Sequence, residues 1–209
     1  MIARKEMSII LLHGLWTRGL ELFLLKRRLD RAGLGAYIYS YPTVSRSFHE
    51  NVKALARFIC KNTACRVCLV GHSYGGLVAC GLVNGIYDGW IEDIVVKKCV
   101  FLGSPLLGSS IARRLEHLAP FRLVTGKALG VLKSGCSLER GGPVKSVMIA
   151  GTMNVGFGMF MINGPGDGVV ALSETKASWL DGHYTVHATH LGLVLSKEAS
   201  SLCIDFLKS

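Results

Sequence analysis

The stretch GHSYGG, residues 71–76, follows directly on the apolar run CRVCLV, residues 65–70. The run predicts a buried strand over 66–70, and the pattern after it predicts a helix over about 74–84. A serine between a strand and a helix lies on a sharp turn. The glycines two residues before and after Ser73 leave room for neighbouring backbone at that turn.

Such a turn raises the hydroxyl of Ser73 above the sheet. The helix that begins there offers unpaired N–H groups and the positive end of its dipole, which stabilise negative charge formed beside the serine. The alternative is a Gly/Ser loop without chemistry. The strand before the serine and the helix after it favour a nucleophile over a plain loop.

Strand and helix patterns alternate along the rest of the chain. The apolar segments are continuous rather than alternating, which favours a mainly parallel sheet with helices on both faces. Functional residues gather at the carboxyl ends of the strands in such sheets. The predicted strands cover 8–12, 36–42, 66–70, about 98–103, 144–150 and about 183–186, and the predicted helices cover about 20–33, 47–62, about 74–84 and 192–207.

A length of 209 residues fits one domain with a sizeable core, and no linker rich in Pro, Gly or Ser divides it. The interval 104–143 is less regular and longer than a crossover between strands requires. We therefore predict a single α/β domain over 1–209 with a small cap at about 104–143.

The chain carries 24 Lys and Arg against 14 Asp and Glu, a formal net charge of +10. Six positive and two negative residues fall within 104–143. This basic excess fits a solvated face, and it also fits contact with anionic lipid or an acidic substrate. Nucleic acid is not an expected partner, because no recognised nucleic-acid module accompanies the charge.

Seven cysteines cannot all pair, and most lie in apolar segments, which favours a reducing compartment and a cytoplasmic location. Cys65 and Cys68 lie three residues apart; on a strand they would point to opposite faces, roughly 10 Å apart, too far for a disulfide. No second Cys-x-x-Cys completes a zinc site, so packing is the expected role and no metal is expected. The apolar opening lacks the length and cleavage site of a secretory signal, and no run is long enough to span a membrane.

A nucleophilic serine requires a general base, and four histidines follow it in the chain. His117 lies in a charged helical stretch, and His183 and His187 fall on or beside the last predicted strand. His190 comes just past the end of that strand, at the same sheet edge as Ser73. His190 is the favoured base and His187 the alternative.

The acid that orients the base is expected after the preceding strand, where two aspartates qualify. Asp167, in GPGDGVV, lies in a glycine-rich loop that lets a short side chain reach inward. Asp181, in WLDGHY, precedes a glycine, and Asp-Gly is a turn dipeptide. Asp167 is therefore favoured and Asp181 is the alternative.

Four motifs, in their order along the chain, resemble those of the α/β-hydrolase superfamily, and within it those of the small bacterial lipases and esterases. A fifth segment, FLGSPLLGS (101–109), is similar to the stretch that follows the next strand in these lipases. The four motifs are HGLW (13–16), GHSYGG (71–76), GDGVV (166–170) and HATHLGL (187–193).

The resemblance implies an α/β-hydrolase fold, with Ser73 as nucleophile, His190 as base and Asp167 as orienting acid. It also implies an oxyanion hole formed by the backbone N–H groups of Leu15 and Tyr74. His13 is then a structural residue of the oxyanion loop rather than a base.

The chain departs from the family at Ser104, where the family has threonine, and in an interval 104–143 that is short for a large lid. The second departure argues against activation by an interface.

The function that follows is hydrolysis of a carboxylic ester or lipid through an acyl-enzyme, without a cofactor. The same three residues serve thioesterases, amidases and acyltransferases, so these remain alternatives. A non-catalytic binding protein of the same fold would be favoured if one of the three positions were missing, and none is.

Overall fold

A parallel sheet forms the centre of the molecule. The computed structural model describes residues 7–89, 91–138, 144–162 and 164–209. Six strands in these residues form one sheet in the order β2-β1-β3-β4-β5-β6, and every neighbouring pair is parallel, which confirms the predicted architecture. The strands are β1 Ser8–Leu12, β2 Ala36–Tyr39, β3 Arg66–His72, β4 Val95–Leu102, β5 Lys145–Gly151 and β6 Gly182–Val186.

Helices cover both faces of this sheet. One apolar cluster joins the sheet to α2 and α3 through Leu55 and Leu77, and a second joins it to α1 and α8 through Leu25 and Leu207. No helix in the described part of the chain is long and apolar enough to cross a membrane. The helices are α1 Phe23–Arg31, α2 Phe48–Asn62, α3 Tyr74–Tyr87, α4 Ser110–Leu115, α5 Ala119–Thr125, α6 Leu129–Ser134, α7 His190–Leu195 and α8 Lys197–Lys208.

The closing helix predicted over 192–207 is two helices. Ser196 ends α7 in an extended conformation (φ −64°, ψ 134°), and its Oγ accepts the N–H of Ala199, 3.2 Å away, as the N-cap of α8. A serine at this position satisfies an otherwise unpaired N–H and so starts a new helix. The prediction missed the break because the apolar period continues across it.

The segment 104–138 contains α4, α5 and α6 and packs on the sheet face that α3 covers. Buried Ala112, Ala128 and Leu132 join the same apolar cluster as α3. Asn84 of α3 donates a hydrogen bond to the carbonyl of Ser137 (2.9 Å). The rest of the predicted cap, 139–143, lies outside the described residues.

All seven cysteines lie in described parts of the chain and none forms a disulfide. Cys65 precedes β3 with a φ of 59°, so it is not on the strand as the opposite-face argument assumed, whereas Cys68 is buried within β3.

Candidate active site

Ser73 occupies a strained turn between β3 and α3. Its φ of 54° and ψ of −122° place a non-glycine residue in a sparsely populated region. The two flanking glycines are required by close backbone contact: a Cβ on Gly75 would lie 2.2 Å from the carbonyl oxygen of Leu12, and one on Gly71 would lie 2.4 Å from the Cα of Gly76. The turn that GHSYGG predicts is therefore present, with Ser73 at its apex.

His190 and Asp167 form a hydrogen-bonded pair at the carboxyl edge of the sheet. His190 is the first residue of α7, and its Nδ1 lies 2.7 Å from Oδ2 of Asp167. The other carboxylate oxygen accepts the N–H groups of Val169 (3.0 Å) and Val170 (2.8 Å). Asp167 is 2% exposed, so a fully hydrogen-bonded carboxylate is buried behind the imidazole and fixes its orientation.

Gly103, at the end of β4, makes room for this pair. Its φ is 54°, and a Cβ there would lie 2.9 Å from Oδ2 of Asp167 and 3.3 Å from Nδ1 of His190. A side chain at this position would push the acid and the imidazole apart. The sequence contains the glycine but gives no sign of this role.

The alternative histidines lie away from this pair. His187 is exposed just after β6, and His117 is exposed on the surface. His183 is half-buried, with its Nε2 2.9 Å from the hydroxyl of Thr175. Burial lowers the pKa of His183, which fits a neutral structural ring.

Asp181 is occupied elsewhere. Its Oδ2 accepts the N–H of Ser146, at the start of β5, over 2.6 Å. Asp181 therefore lies in the turn that its Asp-Gly dipeptide predicts. Its hydrogen bond connects the start of β6 to the neighbouring strand β5.

The loop after β1 runs beside the serine. A Cβ on Gly14 would lie 3.3 Å from the Cβ of Ser73, and Leu15 follows Gly14 directly. Within the described residues, the N–H groups of Leu15 and Tyr74 donate no hydrogen bond to the protein. Tyr74 opens α3, where the first N–H groups have no partner within the helix. In the described part of the chain, the N–H of Leu15 in this loop and the N–H of Tyr74, directly after Ser73, are thus without a protein partner.

A mainly apolar cavity of about 280 Å³ opens onto this edge. Ser73 and His190 both line it, and the segment 104–138 contributes Ile111, Phe121 and Leu132 to its walls. The indole N–H of Trp16, at the mouth, donates to the carbonyl of Val124 in α5 over 2.9 Å. The hydroxyl of Ser73 therefore belongs to a residue that lines a pocket suited to an apolar chain.

Two buried residues near the site were not predicted from the sequence. His72 precedes the serine and its Nε2 lies 3.1 Å from the carbonyl oxygen of His190; Glu21 lies behind it, with Oε1 3.8 Å from Nδ1 of His72. Burial lowers the pKa of His72, although Glu21 opposes the shift.

In the described chain, no three His, Cys, Asp or Glu side chains are grouped so as to hold a metal ion.

A parallel sheet with a strained serine turn and a carboxylate–histidine pair at its carboxyl edge is the architecture of the α/β hydrolases. The model of the alpha/beta hydrolase family matches residues 9–188, and the chain belongs to this family. A search of curated proteins found no match.

Solved structures share the fold at low sequence identity. The mature Bacillus licheniformis lipase BlEst2 has a TM-score of 0.76 at 18% identity, over 96% of this chain and 91% of that one. The Legionella pneumophila phospholipase PlaB has a TM-score of 0.75 at 14% identity, over 97% of this chain and 59% of that one. The RedJ thioesterase of Streptomyces coelicolor has a TM-score of 0.62 at 11% identity, over 98% of this chain and 85% of that one.

Proposed function

We propose that the protein is a serine carboxylester hydrolase that acts through Ser73, His190 and Asp167. The observation that carries the proposal is the 2.7 Å contact between His190 and Asp167 beside a cavity that Ser73 and His190 both line. A carboxylate fixed on Nδ1 leaves Nε2 as the nitrogen that can take a proton.

In the first step, His190 Nε2 accepts the hydroxyl proton as Ser73 Oγ attacks the carbonyl carbon of an ester. The negative charge that forms on the carbonyl oxygen is held by the N–H groups of Leu15 and Tyr74, each worth about 3 kcal/mol in comparable sites. Asp167 stabilises the imidazolium, which then protonates the leaving alcohol. The product of this step is an acyl ester of Ser73.

In the second step, water replaces the alcohol. His190 takes a proton from the water as it attacks the acyl carbonyl, and the same two N–H groups hold the charge. Collapse of this intermediate returns the proton to Ser73 Oγ and releases the acid. None of these steps requires a cofactor.

The mainly apolar cavity supports an ester or lipid with an apolar acyl chain as substrate. A thioesterase, amidase or acyltransferase would use the same three residues, and the fold is shared with a protein named as a thioesterase. A fluorophosphonate probe tests the common mechanism, because it labels an activated serine and leaves a non-catalytic protein unmodified. Matched ester, thioester and amide substrates with one acyl chain then rank the alternatives.

Asp167→Asn is expected to lower turnover by about three to four orders of magnitude, because an amide cannot stabilise the imidazolium and favours the wrong tautomer. The measurement is kcat on a p-nitrophenyl ester. Asp181→Asn is the matched control; it should lower the melting temperature through the 2.6 Å contact with Ser146 and leave the rate nearly unchanged. The reverse pattern would assign the acid to Asp181.

We propose a cytoplasmic location, because several cysteines are buried as unpaired thiols. Burial raises the pKa of Cys68, Cys99 and Cys203, so these thiols stay protonated and pack as small apolar groups. A chain that keeps such thiols unpaired suits a reducing compartment.

We also propose that segment 104–138 acts as a small cap whose outer face contacts anionic lipid. Within this segment, Lys133 is paired with Glu116, and Arg113 donates to the carbonyl of Lys133 (2.8 Å). Arg122 and Lys127 are exposed, and neither forms an ion pair within the described chain.

Apolar side chains are exposed next to these two charges. Leu123 is 83% and Val124 49% exposed on α5, and Trp16 and Leu191 are more than half exposed at the mouth of the cavity. A patch of apolar groups beside basic ones fits a lipid surface with negative headgroups.

Two measurements on vesicles and soluble esters test this contact. Because the cap is small, short-chain esters should be hydrolysed below their solubility limit, without a rate jump above it. Vesicles that contain phosphatidylglycerol should co-sediment with the protein at low salt and release it at high salt, since the Debye length falls from about 10 Å at 0.1 M to about 3 Å at 1 M.

The variant Leu123→Asp should weaken sedimentation. Val95→Asp, at a 43% exposed position at the amino end of β4 and so at the opposite edge of the sheet, is its control. A rate jump confined to emulsions would indicate a closing lid. If the protein did not sediment with vesicles at low salt, the basic residues would form only a solvated surface and the proposed lipid contact would be wrong.

A further inference from the structure

Glu21 is a buried acid that holds the loop carrying Leu15. It lies in a one-turn 3-10 helix, Leu20–Leu22, with a side chain 5% exposed. Its Oε1 accepts the hydroxyl of Thr17 (2.6 Å) and the N–H of Gly14 (3.2 Å). The carboxylate therefore fixes the direction of the N–H of Gly14.

His13 holds the carbonyl side of the same glycine. The N–H of Tyr41 donates to His13 Nε2 over 3.1 Å, so the ring proton lies on Nδ1. Nδ1–H then donates to the carbonyl of Gly14 over 2.8 Å. Burial lowers the pKa of His13, which keeps the ring in this neutral form.

These two contacts fix the direction of the next N–H. The carbonyl of Gly14 and the N–H of Leu15 belong to one planar trans peptide and point in opposite directions. We propose that Glu21 is a positioning residue which, with His13 opposite, holds Gly14 so that the N–H of Leu15 faces the oxyanion. This inference rests on the proposed function, since it needs an oxyanion to form at Ser73.

The surroundings of Glu21 keep its carboxylate ionised where it contacts the loop. Burial opposes its ionisation, yet its interactions with His72, Thr17 and Gly14 lower the pKa of Glu21 to about 2. Its Oε2 is buried without a hydrogen-bond partner in the described residues. A depressed pKa means that the ionised carboxylate stabilises the folded chain at neutral pH, so the loss of Glu21 should lower the free energy of unfolding as well as release the loop.

The test compares Glu21→Ala with Glu21→Gln on a soluble p-nitrophenyl ester. Removal of the side chain should lower kcat by about 30-fold, because a displaced oxyanion donor loses much of its effect, with KM unchanged. Glutamine keeps an oxygen acceptor for Gly14 and Thr17, so it should restore kcat to within about threefold of wild type. Active sites are titrated with a fluorophosphonate, so that kcat refers to folded, reactive protein.

A trifluoromethyl ketone separates positioning from stability. Ser73 Oγ bonds to its carbonyl carbon, the carbonyl electron pair moves onto the oxygen, and the serine proton passes to His190, which leaves an oxyanion in the hole. Its inhibition constant should rise in Glu21→Ala by the same factor by which kcat/KM falls. The product alcohol, which forms no oxyanion, should inhibit both proteins equally.

The outcomes are distinct. If Glu21→Ala melts at a lower temperature but keeps wild-type kcat and ketone inhibition, Glu21 is structural and the inference is wrong. If wild-type protein neither hydrolyses esters nor reacts with the fluorophosphonate, the proposed function itself fails. Should Glu21→Ala not fold, Glu21→Asp, one methylene shorter, carries the same test, with kcat expected to fall in the same direction.

Discussion

Ser73→Ala is expected to fold as wild type does and to lose ester hydrolysis by about five to six orders of magnitude. Alanine keeps a Cβ, so the backbone strain at φ 54° is unchanged, while the attacking oxygen is absent. The measurements are kcat on p-nitrophenyl esters and labelling by a fluorophosphonate, which should disappear together.

Ser109→Ala is the matched control for this variant. Ser109 lines the same cavity, but its Oγ accepts the N–H of Ala112 as the N-cap of α4. The loss of a cap costs about 1 kcal/mol of stability and should leave kcat within a few-fold of wild type. Ser73→Ala with activity within tenfold of wild type would rule out a serine mechanism.

His190→Ala is expected to lower kcat to nearly the same level as Ser73→Ala, since residues that act as a unit do not contribute additively. The variant leaves the buried carboxylate of Asp167 without its imidazole, so part of any loss could come from reduced stability. His190→Gln addresses this, because its amide can still donate a hydrogen bond to Asp167 but cannot accept a proton at neutral pH. Both variants should be inactive.

His187→Ala and His183→Ala are the controls for the base. His187 is exposed and His183 contacts Thr175, so both variants should keep most of the wild-type rate. An inactive His187→Ala beside an active His190→Ala would move the base to His187 and remove the support that the Asp167 contact gives to the mechanism.

The fold could be predicted from the sequence because the patterns that indicate it lie within short segments. A buried strand, a glycine-flanked serine and a helix in succession require only short-range sterics, and the remaining apolar segments repeat the alternation. The parallel sheet and the family could therefore be predicted from the amino-acid sequence, and the structure and the comparisons confirm both. The break at Ser196 was missed because one capping serine interrupts a period that is otherwise continuous.

The candidate site was only partly accessible, because its contacts join distant residues. Sequence position could place His190 and Asp167 at the same sheet edge, but only the packing of α7 against the loop after β5 brings Nδ1 to 2.7 Å from Oδ2. Gly103 lies in the family-like segment FLGSPLLGS, but no pattern indicated that its missing side chain leaves space for that pair.

The same limit applies to Glu21, which the sequence presents as one acid in an amphipathic helix pattern. Its burial and its bonds to Gly14 and Thr17 arise from the way the first loop folds over β3. The sequence by itself determined the order of the elements, the sharp turn at Ser73 and the candidate serine, histidine and aspartate residues. Tertiary structure alone decided which histidine meets which acid, which segment lines the cavity and which buried carboxylate contacts the loop after β1. Hydrogen bonds and steric fit between distant residues depend on positions that no local pattern specifies.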